Sequence, residues 1–402
     1  MSVSTTTPTL FLKNSGVRPL GRGHPWVYAG AVTKVSGQPE PGQVVRLADK
    51  AGRFVAWAWY SPFSRIRARV LSLTLRAAFD SGWWRERLEM AWAGRRRLAE
   101  DPQTTAFRLV NAEADSLPGL IVDLYDKTAV LQVTTPGADL IKADVASWLG
   151  ERLGLKSVFE RGQAQARRLE GLAPAEGPLL GPEPPGPGGI KEGGLKFEVD
   201  LAQGQGTGWY LDQRLNRQIV AGYARQRKIL DCFAYSGGFS AQALGAGAES
   251  AVLIDSSARA LKQAQTNLKL NDLQARADVV QGNVFDVLRQ YQADGRRFGL
   301  IILDPPPLAP GRSQAQKASR AYKDLNRLAF KLLAPGGLVA TFSSSPGIGL
   351  SSFQEILIWA AREAGVRLQI LACLGQPEDH PVLAGFPESE YLKGFVCRPF
   401  RS

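Results

Sequence analysis

The sequence predicts an α/β fold, with a parallel-rich, doubly wound sheet in the C-terminal half preceded by a β-rich module and a small α/β unit. Three observations carry this. Ile229 to Ser240 is an apolar run through Asp231 and Cys232 that turns at Ser236-Gly237-Gly238 into a helix start, and Ser250 to Asp255 is a second apolar run closed by an acid, so the stretch reads β-loop-α-β. Phe298 to Leu303 is strand-like and stopped by Asp304-Pro305-Pro306-Pro307, while Leu332 to Phe342 reads as a helix end, a Pro335-Gly336-Gly337 turn and another strand. Val44–Ala48, Phe54–Tyr60 and Ile66–Leu71 are short strand-like runs separated by turn residues, the pattern of a small β module.

Between the C-terminal strands, Ala258 to Asn271 places Leu261, Ala264 and Leu268 on one helical face, and Val279 to Phe285 reads as a third strand with its exit loop. Four strands that each end in a polar or Pro-rich loop put the ligand at the C-terminal strand ends. Gly237 and Gly238 let backbone N–H groups approach that ligand, and Asp255 at the close of the next strand suits a ribose diol. The G-x-G-x-x-G spacing for a pyrophosphate is missing, as is the Gly-Lys-Ser/Thr of a phosphate loop. A nucleoside without phosphates, such as S-adenosylmethionine, fits better. The ordered set of two acids, a polar residue and Asp-Pro-Pro is a class I methyltransferase signature, so the C-terminal sheet is expected to be Rossmann-like.

Lys and Arg number 49 against 37 Asp and Glu, a net charge of +12 that makes a phosphate-rich partner, nucleic acid first, the one to expect. Cys232, Cys373 and Cys397 are too scattered for a disulfide framework, and with only His24 and His380 a His/Cys metal site is not expected. Met1 to Leu12 lacks the basic start and apolar core of a secretory signal, and no apolar run approaches membrane-spanning length. A cytoplasmic location follows as the expectation.

Taken in order, residues 1–75 form the β-rich module. The alternation in Arg65-Ile66-Arg67-Ala68-Arg69 sets three arginines on one side of a sheet, either a solvated face or one that contacts phosphates, and His24-Pro25-Trp26-Val27-Tyr28 supplies aromatic bulk for the core. Residues 76–190 form the second unit: a helix from Trp83 to Glu100, strands around Ser116-Leu117-Pro118-Gly119, a helix from Leu140 to Leu153 and a strand at Ser157–Glu160. Ala173 to Gly194, rich in proline and glycine, reads as a loop or linker. Residues 191–402 form the third unit, where the glycine-rich Gly206-Thr207-Gly208-Trp209 and the following Tyr210-Leu211-Asp212-Gln213-Arg214 are expected to fold over the cofactor.

These residues resemble a known family. His24-Pro25-Trp26-Val27, Arg65 to Arg69, Leu117-Pro118-Gly119, Tyr210 to Arg214, Cys232 to Phe239, Asp304-Pro305-Pro306, Tyr322 to Asn326, Asp379-His380-Pro381 and Tyr391 to Phe395 together look like the bacterial ribosomal RNA large subunit methyltransferase I family over nearly the whole chain. The resemblance implies a PUA RNA-binding domain, a central α/β domain and a Rossmann-like catalytic domain that methylates cytosine C5 in large-subunit ribosomal RNA, with a homodimer possible. It implies that Tyr210, Asp212, Arg214, Asp231, Phe233, Ser236, Gly237, Gly238, Phe239, Asp255, Ser256, Asn283 and Asp304 surround S-adenosylmethionine. Within that set Asp255 takes the ribose, Ser236 to Phe239 the methionine part, and the Asn283 side-chain carbonyl the adenine amino group. Asp304, Pro305 and Pro306 form the floor beneath the methyl group, and Arg65, Arg67 and Arg69 meet RNA.

Three positions depart from the family pattern. Ser343-Ser344-Ser345 stands for Ser-Cys-Ser, Pro307 for a lysine, and Gln205-Gly206 for a histidine and a lysine. Carbon 5 of cytosine is a poor nucleophile, so its methylation begins with a thiolate adding to carbon 6, a role that cysteine with its pKa of about 8.5 fills well. Ser344 offers only a hydroxyl, and Cys232 or Cys397 could be a substitute or core filler. Methylation at another base position, or a protein that keeps cofactor and RNA binding with weakened catalysis, stays open.

Overall fold

The computed structural model describes residues 7–75, 79–182, 188–309 and 311–401. The chain divides into two units, Met1–Gly188 with Asp200–Trp209 and Asp379–Ser389, and Gly189–Val199 with Tyr210–Glu378 and Glu390–Ser402.

The first unit opens on a six-stranded sheet in the order Trp26–Tyr28, Ile66–Ser72, Phe54–Tyr60, Val44–Ala48, Thr9–Leu12, Val32–Ser36. Its alternating apolar residues, Leu10, Leu12, Val45, Leu47, Ala56 and Ala58, point to one buried face. The helix Ser81–Ala99 starts where the Asp80 carboxylate accepts the N–H groups of Gly82 and Trp83. The helix Pro136–Leu153 begins with Thr135 capping the Ala138 N–H, and proline fits at its first position, where the missing N–H would have no partner. A five-stranded sheet, ordered Glu176–Leu180, Ser157–Arg161, Thr128–Val133, Leu120–Tyr125, Ala106–Asn111, packs with these helices. Trp59 and Leu71 of the first sheet join the same hydrophobic cluster as Trp83, Leu88 and Leu109.

The stretch Ala173 to Gly194 is not the loop its composition suggests. Glu176–Leu180 pairs antiparallel with Ser157–Arg161, and Gly188–Glu192 makes a two-stranded sheet with Leu195–Val199; residues 183–187 lie outside the described residues. An edge strand needs hydrogen bonds on one side only, so Pro178 is tolerated there.

Two excursions of the chain belong to this first unit. Thr207 Oγ1 donates to Asp123 Oδ2 at 2.7 Å and lies 2.7 Å from the Tyr125 hydroxyl, which holds the glycine-rich loop in place instead of leaving it a free flap. The Asp379-His380-Pro381 motif is likewise structural: Asp379 Oδ2 accepts the Arg108 N–H at 2.9 Å, and the Phe386 ring lies 4.5 Å from that of Trp26.

In the second unit, seven strands form one sheet: β1 (Lys228–Cys232), β2 (Ser250–Asp255), β3 (Ala277–Gln281), β4 (Phe298–Leu303), β5 (Leu333–Ser343), β6 (Arg367–Leu374) and β7 (Lys393–Phe400), in the order β3-β2-β1-β4-β5-β7-β6. The first five are parallel, and β7 runs antiparallel between β5 and β6. The helices are α1 (Arg214–Ala221), α2 (Gly238–Gly245), α3 (Ala258–Lys269), α4 (Val284–Ala293), α5 (Ala315–Lys331) and α6 (Leu350–Glu363). Parallel strands covered on both faces read as unbroken apolar runs, which is why β1, β2 and β4 were legible. Val284 and Phe285, expected in the third strand's exit, instead open α4, where Val284 and Leu288 bury one helical face.

Candidate active site

The parallel register lines up the C-terminal ends of the strands. Cys232 stands beside Ile254 and Leu303, Asp255 beside Gln281, Leu303 beside Thr341, and Ser343 beside Lys393. Asp231, Asp255 and Asp304 therefore share one edge, at the point where the strand order reverses on either side of β1.

The turn after β1 is tightly wound. Phe233, Tyr235 and Gly237 all have positive φ, 63°, 48° and 81°. Such backbone is unfavourable for the two aromatic residues, and strain of this kind gathers at functional sites. At Gly237 a Cβ would lie 3.0 Å from the Ala264 Cβ, so side-chain space is closed there as well. Asp231, fully buried, accepts from the Ser240 N–H at 3.1 Å and the Ser240 hydroxyl at 2.7 Å, which ties the start of α2 to β1. Asp255 receives the Tyr235 N–H on one oxygen and the Ser257 N–H on the other, each at 2.9 Å. That leaves lone pairs on both oxygens directed by the fold.

Asp304 follows β4 with Pro305 buried and Pro306 exposed. Its Oδ1 accepts from Gln213 Nε2 at 2.9 Å, and Gln213 Oε1 in turn accepts from Asn216 Nδ2 at 2.7 Å. Asp212 Oδ2 accepts from the Tyr391 hydroxyl at 2.9 Å, while its Oδ1 is buried without a hydrogen-bond partner. Burial, then the carboxylates of Asp212 and Asp231, push Asp304 up to about 7. Burial also raises Asp231 to about 7, its hydrogen bonds from Ser240 opposing the rise. Tyr210 packs its ring 5.5 Å from Tyr235, and burial with Asp304 and Asp212 nearby raises its phenol strongly. Four carboxylates thus converge on one pole of the sheet, an arrangement stabilised by a cation. Orphaned buried oxygens at Ser236 Oγ and Asp212 Oδ1 ask for a ligand with hydrogen-bond donors. A nucleoside bearing a sulfonium and an ammonium group meets both demands.

A family model described as S-adenosylmethionine-dependent methyltransferase matches residues 174–391, and one described as a PUA-like domain matches residues 10–73. Proteins named ribosomal RNA large subunit methyltransferase I are 38% identical over 395 residues in Pseudoalteromonas translucida, covering 98% of this chain and all of that one, and 40% identical over 392 residues in Tolumonas auensis, covering 97% and 99%. This chain belongs to the ribosomal RNA large subunit methyltransferase I family.

As a member of that family it uses S-adenosylmethionine. Its fold is shared with SMU.776, solved in complex with SAH, at a TM-score of 0.84 and 22% identity, covering 97% of this chain and 99% of that one.

The remaining residues expected from the sequence are placed as follows. Phe239 is buried with its ring 5.4 Å from Phe342, Ser236 is buried, and Arg214 is the buried first residue of α1. Ser256 is exposed beside Asp255. Asn283 has a structural part as well: its side-chain carbonyl accepts the Phe285 N–H at 2.9 Å to cap α4. Ser344 is half-buried just beyond β5, between Ser343, whose hydroxyl donates to the Tyr322 hydroxyl at 3.0 Å, and Ser345, whose hydroxyl accepts the Ala309 N–H at 3.0 Å. Lys393 Nζ donates to the Ser345 carbonyl at 3.1 Å, and burial lowers this lysine to about 8.

In this family member, the cysteines do not reach that loop as a nucleophile would. Cys232 packs in the core cluster of β1 and β4, and burial pushes its thiol far up. Cys397 packs among Tyr322, Phe353 and Phe395, and burial raises it to about 12. Cys373 is an exposed residue of β6.

The three arginines do not share an open face. Arg69 is only 7% exposed and makes a bidentate pair with Glu170, at 2.6 and 3.0 Å, and Arg67 Nη1 donates to the Pro62 carbonyl. Arg65 alone is exposed, just before its strand. The alternation was real, but its partner Glu170 lies 101 residues away and could not be read from the local pattern. Gln213, Asn216, Tyr322 and Lys393 are the site residues the sequence did not single out. Gln213, Tyr322 and Lys393 stand inside quoted motifs and Asn216 outside them, with nothing local to say which way each side chain points.

Proposed function

We propose that this protein transfers a methyl group from S-adenosylmethionine to large-subunit ribosomal RNA, with carbon 5 of a cytosine as acceptor. The observation that carries the reading is the convergence of Asp212, Asp231, Asp255 and Asp304 around the Gly237 turn, in a chain whose relatives bear that name over their full length. The bound donor supplies an electrophilic methyl group on a positively charged sulfur. The lone pairs of Asp255 face the ribose hydroxyls, with Ser256 at the rim. Ser236 Oγ, the backbone from Gly237 through Gly238 to Phe239, and the free oxygen of Asp212 hold the methionine part. Phe233 and Tyr210 wall the adenosyl group, Arg214 seats the turn that carries Tyr210 and Asp212, and Asn283 offers its amide N–H to adenine. Asp304 with Pro305 and Pro306 floors the reacting centre. Residues 1–75, 76–190 and 191–402 divide the work into RNA-binding, central and catalytic domains, and Arg65 is the cation of the first that is open to phosphate.

A second reading is favoured by one observation, the hydroxyl at Ser344 with no thiol beside it. Without a thiolate to add at carbon 6, cytosine C5 stays weakly nucleophilic, which favours either another base position or weakened catalysis. Labelled donor with protein-free large-subunit ribosomal RNA, followed by nucleoside analysis, tests the proposal. Labelled 5-methylcytosine is the expected product. A different labelled nucleoside would replace the acceptor, and no label in any nucleoside would leave donor binding without transfer.

A further inference from the structure

The charge of the second unit is separated along its sheet. The carboxylates sit at the C-terminal edge of the parallel strands, and the opposite edge carries a cleft of about 860 Å³ whose walls include Arg297, Lys331, Arg398 and Arg401 and, among the described residues, no Asp or Glu. Arg297 immediately precedes β4 and Asp304 immediately follows it, so the two poles stand about 23 Å apart at some 3.3 Å per residue. Among the described residues, none of these four cations makes an ion pair. Their charges therefore add instead of being neutralised, unlike that of Arg69, which the Glu170 carboxylate pairs. Phe400 lies on the same wall, half-buried under the Arg367 guanidinium 5.5 Å from its ring centroid, and Gly336 of the lining accepts from Arg227 Nη1 at 3.0 Å.

We propose that this cleft is a second docking site for the phosphodiester backbone of the substrate RNA, away from the nucleotide being methylated. Isolated guanidinium groups that converge without carboxylates bind phosphate oxygens in a fork and release condensed counterions from the RNA. An RNA strand cannot approach the carboxylate pole closely without repulsion, except where its target base enters. A cationic pad at the far pole holds the rest of the polymer and orients it. The inference rests on the proposed RNA substrate and adds a place on the molecule where that substrate is held.

The test compares the intact protein with Arg297→Ala/Arg398→Ala/Arg401→Ala and with a charge-matched control, Lys196→Ala/Lys262→Ala/Lys269→Ala. Affinity for in vitro transcribed large-subunit ribosomal RNA is measured across a series of salt concentrations, and donor affinity by calorimetry reports on folding. The cleft variant should show a plot of log affinity against log salt shallower by about 2, since each lost phosphate contact removes about 0.7–0.9 from the slope. Its donor affinity should be unchanged, and the control should keep the parent slope. A cleft variant with the parent slope, or a control that falls as far, overturns the docking site while leaving the proposed activity standing. Unmodified protein that neither binds nor methylates the RNA overturns both.

Discussion

Gln213 Nε2 donates to Asp304 Oδ1 at 2.9 Å, so the acid of the Asp-Pro-Pro turn is aimed by a buried amide 91 residues earlier in the chain. Gln213 is itself locked by Asn216, which also donates to the Gly375 carbonyl at 2.9 Å. Replacing Gln213 with leucine keeps the volume and removes the donor. A hydrogen bond to a charged group is worth about 1.5–3 kcal/mol, so kcat/KM for methyl transfer should fall roughly 10- to 100-fold. Single-turnover transfer rates measure this, and a rate within twofold of the parent would show that Gln213 does not position the acid.

The carboxylate cluster predicts a proton linked to donor binding. Asp231 and Asp304 both titrate at about 7 in the free protein. A cationic ligand favours their ionised forms, so donor affinity should rise as pH increases through 7, with proton release on binding near neutrality. Calorimetry in buffers of different ionisation enthalpy reads the protons directly. For the ligand-free protein the sign is reversed. These folded acids keep protons that unfolded ones, with pKa about 3.9, have lost, so their contribution to stability declines as pH rises from about 4 to 7.

Ser344→Cys places a thiol where only a hydroxyl stands, beside the loop that Lys393 holds. If cytosine C5 is the acceptor, 5-methylcytosine formation should increase, on the order of tenfold or more, because a thiolate is available near neutral pH and a serine alkoxide is not. Nucleoside analysis of the RNA decides it, and an unchanged yield would remove Ser344 from the reaction.

Arg217 and Glu192 form a fully buried pair, with both guanidinium contacts at 2.6 Å, and Arg217 also donates to the Tyr210 carbonyl at 2.9 Å. Arg217→Ala would remove both guanidinium contacts from the buried Glu192 carboxylate, at a cost of about 3–5 kcal/mol. Urea unfolding should show the loss, and Arg217→Ala/Glu192→Ala should recover part of it. A double variant no more stable than the single one would show that the buried Glu192 carboxylate is not the source.

The sequence by itself determined the parallel sheet and its loops, because β1 to β2 and β4 are apolar runs closed by Asp231, Asp255 and Asp304 within a few residues of a glycine or proline turn. Local backbone preference and hydrophobic period are written into neighbouring residues, so they can be read without the fold. Tertiary structure alone decided where polar side chains point. Arg69 turns inward because Glu170 meets it, Asp304 is aimed by Gln213, and the Asn283 carbonyl caps α4. The Pro- and Gly-rich stretch after Ala173 became strands for the same reason: pairing with Ser157–Arg161 supplies hydrogen bonds that its composition could not announce. Each of these outcomes depends on a partner distant in sequence or on competition for one hydrogen bond, and neither leaves a local mark.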